Sequence, residues 1–266
     1  MTEIDSPVVP GPGVASYRRV IPAELGTVER NALARRLYAV HSRIFAGVTY
    51  DQFVSHVIDP PAENTIIQLF VSASGDIIGY CAVHRYRRTV AGRDALVLRA
   101  EAGLLPEYRG RGATYGFGIR RAIAEKLRHP TTTIYYLGTL VHISSYHLFC
   151  KYFPVLFPSP RQDHTPQVEA IAVELADSFP DPAVTPHDPL IRDVGWVTIE
   201  SPNESRLNQR DDRPDVTFFK ARNPGYVKGH GLVVVVPITF GNVLIALMRR
   251  LSEVVRIKTG RRKPDL

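Results

Sequence analysis

"LLPEYRGRGATYGFGIRRAI", residues 104–123, joins an apolar stretch to a segment of helical spacing through a turn rich in glycine and arginine. The apolar run before it is typical of a strand, and the spacing after it predicts a helix over residues 113–128. A helix N-terminus has unpaired backbone N–H groups and a partial positive charge, which suit phosphate. Gly110 and Gly112 would let that backbone approach a ligand, and Arg109 and Arg111 add phosphate donors. The turn is therefore predicted to bind an anion, with a solvated basic helix cap as the alternative.

The neighbouring segments have readable periodicity. Apolar runs on either side of residues 74–76 predict an antiparallel hairpin upstream, because Gly75 and Asp76 favour a turn. Downstream, residues 132–141 are predicted as a strand and residues 144–153 as a short helix opened by serine caps.

The remainder is assigned to the same domain, residues 14–266, behind a flexible tail at residues 1–13. The proline-rich stretch 158–214 lacks enough apolar residues for its own core, so it is interpreted as an insertion. After it, "DVTFFKA" and "GLVVVVPI" are predicted as the last two strands, and residues 239–258 as a C-terminal helix.

The net charge and the cysteine content limit the kinds of partner and cofactor that the sequence predicts. The net charge of +7 favours an anionic partner such as a phosphate-bearing cofactor. The basic residues are scattered and no reader motif is found, so nucleic-acid binding is not predicted. Cys81 and Cys150 lie in apolar surroundings without metal-ligand spacing, and the N-terminus lacks the features of a signal peptide. We therefore expect a cytoplasmic protein that uses no metal.

The opening stretch resembles motif A of the GNAT superfamily of N-acetyltransferases: Arg or Gln, two residues, Gly, one residue, then Gly or Ala. Arg109 and Gly112 match this pattern, whereas Thr114 stands where the family prefers Gly or Ala. The resemblance covers about residues 65–153 and is weaker beyond them. It implies an α/β fold with a mixed, splayed central sheet and helices on both faces. This chain would add a long insertion before the last two strands and an extra C-terminal helix.

The resemblance also implies a co-substrate, acetyl-CoA or another acyl-CoA, held between two parting strands. The backbone of Leu104 and Leu105 would hold the pantetheine arm. The pyrophosphate would rest on the turn, with the candidate binding residues Arg109, Gly110, Arg111, Gly112, Ala113 and Thr114. His142 stands at the position of a family asparagine and is a further candidate for this site.

The family reaction moves an acyl group from a thioester to an amine, using a base and a donor to the departing thiolate. Glu101, on the strand entering the motif, is the candidate base, with a solvent-facing carboxylate as the alternative reading. Phe149 falls where the family has the donor tyrosine, and it cannot donate a proton. Tyr146 and Tyr152 flank it at helical spacing and are the candidate substitutes. Core packing, with the hydroxyl at the surface, is the alternative for each.

Three functions remain open. The first is an acyl-CoA-dependent N-acyltransferase, in its simplest form an N-acetyltransferase acting on a small-molecule or peptide amine. The second is a longer-chain enzyme of the N-acyl amino acid synthase type, using acyl-CoA or acyl carrier protein, favoured by the apolar final third and the basic charge. The third is a non-catalytic acyl-CoA-binding regulatory module, favoured by the missing tyrosine.

The apolar C-terminal stretch raises the question of membrane contact. Pro237 and Gly241 divide it, so neither half reaches the ~20 residues needed to cross a bilayer. We expect the stripe of the following helix to pack on its own domain. A homodimer contact and contact with an anionic membrane are the alternatives, because basic residues follow the stripe. The stripe consists of Val243, Leu244, Leu247, Leu251, Val254 and Val255.

Overall fold

A computed structural model describes residues 13–109, 113–162 and 164–258, with the backbone alone at residues 113, 254 and 256–258. The predicted N-terminal tail lies outside these ranges, apart from Gly13. Three residues of the predicted phosphate turn, 110–112, also lie outside them.

The strands of the described part of the chain belong to one large sheet and one small pair. They are β1 (Ser16–Val20), β2 (Phe45–Ala46), β3 (Asn64–Val71), β4 (Ile77–Val90), β5 (Arg93–Leu104), β6 (Thr133–Leu140), β7 (Ala183–Thr185), β8 (Asp188–Asp193), β9 (Val197–Thr198) and β10 (His230–Pro237). The large sheet has the order β1-β3-β4-β5-β6-β10-β8-β7, and β2 pairs with β9. Within the large sheet only β5 and β6 are parallel, so the predicted mixed sheet is confirmed.

The α-helices of the same described ranges are α1 (Thr27–His41), α2 (Tyr50–Phe53), α3 (Ala113–Arg128), α4 (Ile143–Tyr152), α5 (Pro166–Asp177), α6 (Pro202–Arg210), α7 (Pro214–Arg222) and α8 (Phe240–Lys258). A π-helical turn extends α2 over Val54–Ile58. The predicted bounds of α3 agree with the structure. The cap of α4 differs, because the His142 side chain, and not a serine, accepts the Ser144 N–H.

Helices cover both faces of the sheet, as predicted. Alternate residues of a strand point to opposite faces of the sheet, so the even-numbered and odd-numbered residues of β4 contact different helices. On the even face, Tyr80 meets His41 of α1 through a 2.8 Å hydrogen bond. On the odd face, Arg85 meets Glu125 of α3 at 3.1 Å.

The predicted insertion belongs to the sheet. β8 lies within residues 158–214 and pairs with β10, so this stretch extends the sheet beyond the strand that follows it. β10 itself, "HGLVVVVP", is buried along almost its whole length, as a β-branched strand covered on both faces should be.

The prediction of two final strands is wrong. "DVTFFKA" forms α7, opened by Pro214 at its first turn, and in the described part of the chain β10 is the only strand after the insertion. Val216 and Phe219, three residues apart, are fully buried, and Phe219 packs against Tyr146 at a ring distance of 5.5 Å. In so short a segment, β-branched and aromatic residues favour a strand by propensity, but the helical spacing prevails through burial.

The C-terminal helix is confirmed, but the packing predicted for its stripe is only partly right. Val243 and Ala246 are buried on the domain. Leu244 and Leu251, which the prediction placed in the same packed stripe, are 56% and 55% exposed.

Candidate active site

The parallel strands β5 and β6 are paired over only part of their length and then diverge. They pair only from Ala95–Leu98 to Thr133–Tyr136. Beyond that point β5 remains paired with β4, and β6 with β10, so each strand keeps its outer partner. The inner edges of the C-terminal halves of β5 and β6 are therefore not paired with each other. This is the gap between parting strands that the resemblance implies.

The glycine-rich turn lies between a strand and a helix, as predicted. β5 ends at Leu104, a 3₁₀ turn covers Pro106–Tyr108, and α3 begins at Ala113. Thr114 is half-buried in the first turn of α3. This is the setting in which helix N–H groups can meet an anion, although residues 110–112 themselves are outside the described part of the chain.

Arg109 is held at the end of β5. Its Nε donates to the Leu104 carbonyl at 3.0 Å, and its Nη1 lies 3.2 Å from Glu204. Its Nη2 is buried and has no hydrogen-bond partner among the described residues. An unpaired guanidinium N–H is costly to bury, so this donor is suited to an anionic oxygen brought by a ligand.

Leu104 and Leu105 are buried, and some of their backbone groups are already engaged. The Leu105 N–H donates to the Ile78 carbonyl at 2.9 Å, and the Leu104 carbonyl accepts the Arg109 bond. A pantetheine arm could therefore not use these two groups while the bonds persist. The Leu104 N–H is the remaining backbone donor of this pair.

Glu101 is buried beside the gap, so the solvent-facing alternative for it is wrong. Its side chain is 13% exposed, and its Oε2 lies 2.6 Å from Nε2 of the fully buried His84. The Nδ1 of His84 is in turn 2.9 Å from the Thr65 hydroxyl. The three side chains lie on one face of three adjacent strands, because Thr65 is paired with His84 and Ala82 with Glu101.

The surroundings keep Glu101 ionised. Burial alone would raise the pKa of the carboxyl, but His84 and Arg99 outweigh it and lower the pKa below the usual value of 4.5. Arg99 is itself anchored by Asp181 at 3.0 Å. The result is a largely buried carboxylate that is negatively charged at neutral pH and lies against the imidazole of His84.

An aromatic cluster adjoins this charged group on the even face of β4. The imidazole of His41 is bonded to Tyr80 and lies 4.7 Å from the Trp196 ring. The ring of His56 also lies near Trp196, with 6.1 Å between the ring centres. Burial lowers the pKa of His41 to about 4, so His41 is neutral at physiological pH.

Tyr146 and Tyr152 do not offer free hydroxyls, and neither hydroxyl lies at the surface. Tyr146 is fully buried and donates to the Pro158 carbonyl at 3.0 Å. The Tyr152 hydroxyl is bonded to Glu253 and accepts from Arg250 at 3.1 Å. Each hydroxyl thus serves packing between α4 and a neighbouring segment, and the donor role predicted for both has no geometric support.

Two other tyrosines surround Phe149 instead. The Tyr136 ring stacks on it at 5.1 Å, and the Tyr115 ring meets it edge-on at 5.5 Å. Tyr136 faces Leu98, the last paired residue before the strands part. The hydroxyl of Tyr115 is buried with no partner in the described part of the chain, and burial raises its pKa well above the usual value. Tyr115 is therefore a protonated donor without an acceptor.

A segment of the predicted insertion bridges the ends of the two parted strands. Glu204, in the first turn of α6, contacts Arg109, which follows β5. Glu200, just before α6, lies 2.7 Å from His142, which follows β6. The bond from His142 lowers the pKa of Glu200 to about 2. Glu200 and Glu204 belong to one short segment. They thus pair with His142 and Arg109, which are two of the predicted cofactor-binding residues.

The cysteines are buried thiols. Burial raises the pKa of Cys81 to about 12 and that of Cys150 to about 11. Both therefore remain protonated at neutral pH, and neither is activated as a nucleophile.

Sequence reasoning missed His84, Thr65, Trp196, Tyr115 and Glu204 as neighbours of the site. Strand alternation offered one usable signal, because residues 82 and 84 share a face and residue 82 is opposite Glu101. This signal can be used only when the register between β4 and β5 is known, and the local sequence does not determine that register. The contact of Glu204 with Arg109 spans 95 residues and has no local signature.

Comparison with known proteins gives matches in structure alone. No family model matches this sequence, and no curated protein matches it either. Several solved structures are similar to the chain. One is a conserved protein of unknown function from Enterococcus faecalis V583, described as a probable N-acyltransferase. It is 11% identical, with 52% of this chain and 33% of that chain covered and a TM-score of 0.35. The present chain thus spans about a third of that protein.

Two other similar structures are transferases by description. A GNAT family N-acetyltransferase from Escherichia coli, solved in complex with CoA, is 15% identical over 53% of this chain and 76% of that one, with a TM-score of 0.33. An acyl-CoA N-acyltransferase from Pseudomonas aeruginosa is 14% identical over 54% of this chain and 91% of that one, also with a TM-score of 0.33. With identities and TM-scores this low, any activity has to be argued from the residues of this chain.

Proposed function

We propose that this protein is an acyl-CoA-dependent N-acyltransferase, acting in its simplest form as an N-acetyltransferase on an amine. The observation that carries the proposal is the position of Glu101 on the unpaired half of β5, where its largely buried carboxylate lies 2.6 Å from His84. The strand gap, the turn at the start of α3 and the unpartnered Arg109 Nη2 support an acyl-CoA as the co-substrate. An elongated, anionic molecule could place its charged end against the donors of the turn and extend along the unpaired edge of β5.

Glu101 would act on the acceptor. Most aliphatic amines reach the site as ammonium ions, which a carboxylate attracts and can deprotonate directly or through one water. The freed nitrogen forms a bond to the acyl carbon and the C–S bond breaks. The second proton, which the nitrogen loses as it becomes an amide, is taken up by the departing thiolate, so that CoA is released as the thiol. His84 and Arg99 would hold Glu101 in position and keep it ionised.

Tyr115 would act on the leaving group. It stands in the first turn of α3, next to the proposed pyrophosphate turn, and packs on Phe149, where the family pattern has its tyrosine. Its raised pKa makes the hydroxyl a hydrogen-bond donor to a thiolate and a poor general acid. We infer that Tyr115 supplies the donor that Phe149 cannot.

The two buried, protonated thiols support a reducing compartment, so we infer a cytoplasmic location. The acceptor could be a small molecule or a peptide, because the described residues around Glu101 include no motif for one amine.

Turnover tests the proposal. The purified protein is given acetyl-CoA with a panel of polyamines, amino acids, aminoglycosides and lysine peptides, and released thiol is measured. Thiol release that depends on an amine supports the proposal. CoA binding without turnover would point to a regulatory module, and faster turnover with octanoyl-CoA or with acyl carrier protein would point to the longer-chain alternative.

A further inference from the structure

The exposed side of α8 carries a row of large apolar side chains. They are Phe240, Leu244, Met248, Leu251 and Val255, with exposed fractions of 52%, 56%, 50%, 55% and 58%. Steps of four, four, three and four residues keep them within about 80° of one another around a helix. We call these five residues the α8 row. The row is about 22 Å long.

The opposite side of α8 is fixed to the domain. Val243 and Ala246 are buried there. The Asn242 side chain donates to the carbonyls of Val155 and Pro237 at 2.9 and 2.8 Å. The α8 row is therefore exposed because the helix is held to the domain by its other face.

Apart from Ile245 on α8 itself, the other large exposed apolar residues of the described chain are distributed over separate elements, such as Val28 on α1 and Val227 between α7 and β10. Single residues of that kind are ordinary on a protein surface. Five in line on one helix form a contiguous patch, which marks a contact surface.

Positive charge stands beside the N-terminal end of the α8 row, and the sequence that follows the row is rich in basic residues. At its N-terminal end the Lys126 ammonium stands 5.5 Å from the centre of the Phe240 ring. Past its C-terminal end the sequence "RIKTGRRKPDL", residues 256–266, has five basic residues and one acidic residue. A second copy of the chain would bring the same positive charge to the contact, whereas an anionic lipid surface would neutralise it.

We propose that the α8 row docks the protein on an anionic membrane surface, with α8 lying in the plane of the interface. The apolar row enters the boundary between headgroups and acyl chains, and Lys126 beside Phe240 meets lipid phosphates. None of the helices in the described ranges is long and apolar enough to cross a bilayer. The contact is therefore peripheral. It does not depend on the proposed acyltransferase activity.

Vesicle flotation tests this inference with the full chain. Vesicles of phosphatidylcholine with 30% phosphatidylglycerol are compared with pure phosphatidylcholine, at low and at high salt. We expect flotation with the anionic vesicles, and about a tenfold weaker partition at high salt because screening weakens the attraction to lipid phosphates. Equal flotation with both lipids, or none with either, would overturn the proposal without any variant.

Variants then locate the contact. Leu244→Glu and Leu251→Glu should each weaken partition into anionic vesicles about tenfold or more, because each places a negative charge in the row. Val28→Glu is the matched control, since Val28 is 82% exposed on α1, and it should leave partition unchanged. Wild-type partition in both α8 variants would contradict the assignment. So would a concentration-dependent dimer that these variants abolish, because the row would then be a contact between two copies.

Discussion

Replacing Glu101 with glutamine removes the charge and keeps the shape of the side chain. If Glu101 takes the proton from the acceptor, kcat should fall about 100- to 10 000-fold, the usual share of a general base. That range corresponds to about 3–5 kcal/mol of activation free energy. The amide oxygen can still accept from His84, so we expect the unfolding free energy to fall by only about 1–3 kcal/mol.

Steady-state kinetics with acetyl-CoA and the best acceptor, together with thermal melting, measure both effects. Glu107→Gln is the matched control, because Glu107 pairs with Arg43 on the surface and is 53% exposed. It should leave kcat and the melting temperature close to wild type. A Glu101→Gln enzyme that is folded and as fast as wild type would refute the base assignment.

The pH dependence carries a second check on Glu101. Its folded pKa lies below the usual 4.5, so the stabilisation from its pairing is complete above pH 4.5 and is lost as the pH falls through the lower folded value. The acid limb that Glu101 gives to kcat/KM should accordingly lie below pH 4.5. An acid limb between pH 6 and 7 that disappears in Glu101→Gln would contradict this environment.

Four further variants and one control examine the co-substrate side of the site. Arg109→Ala removes a phosphate donor, and replacing Gly112 with valine adds a side chain at the turn, so each should weaken CoA binding about tenfold or more in calorimetry. Unchanged affinity in both variants would show that the turn does not bind CoA. Glu204→Gln should tighten CoA binding several-fold, since Arg109 loses an anionic competitor at 3.2 Å; a weaker affinity would mean that Glu204 organises the site instead. Tyr115→Phe should lower kcat about tenfold with little change in KM, since it removes one hydrogen bond to the leaving sulfur, whereas Tyr136→Phe is its control; an equal loss in both would point to packing around Phe149.

The sequence was sufficient for the parts of the fold that local pattern controls. Two apolar runs around the turn at Gly75 and Asp76 predicted the β3–β4 hairpin, and helical spacing from Ala113 predicted the bounds of α3. α7 was predicted as a strand because its short apolar run is compatible with both periods, and only contact with α4 selects the helix.

The site was predictable where a motif is continuous in sequence and obscure where it is assembled. Arg109 and the helix after it follow from the turn itself. Glu101 could be named, but its ionised state depends on His84 and Arg99, and the His84 contact depends on the β4–β5 register. Tyr146 and Tyr152 had suitable spacing, yet partners on distant segments engage their hydroxyls, and such partners leave no trace in local sequence.

The central claim is that an acyl-CoA lies between the parted halves of β5 and β6. A crystal structure of the protein with CoA tests it most directly. We predict density for the pantetheine arm along residues 101–104 of β5, with the pyrophosphate against residues 109–114 and the sulfur near Tyr115. CoA bound at any other surface, or a closed gap in crystals grown with saturating CoA, would contradict the claim.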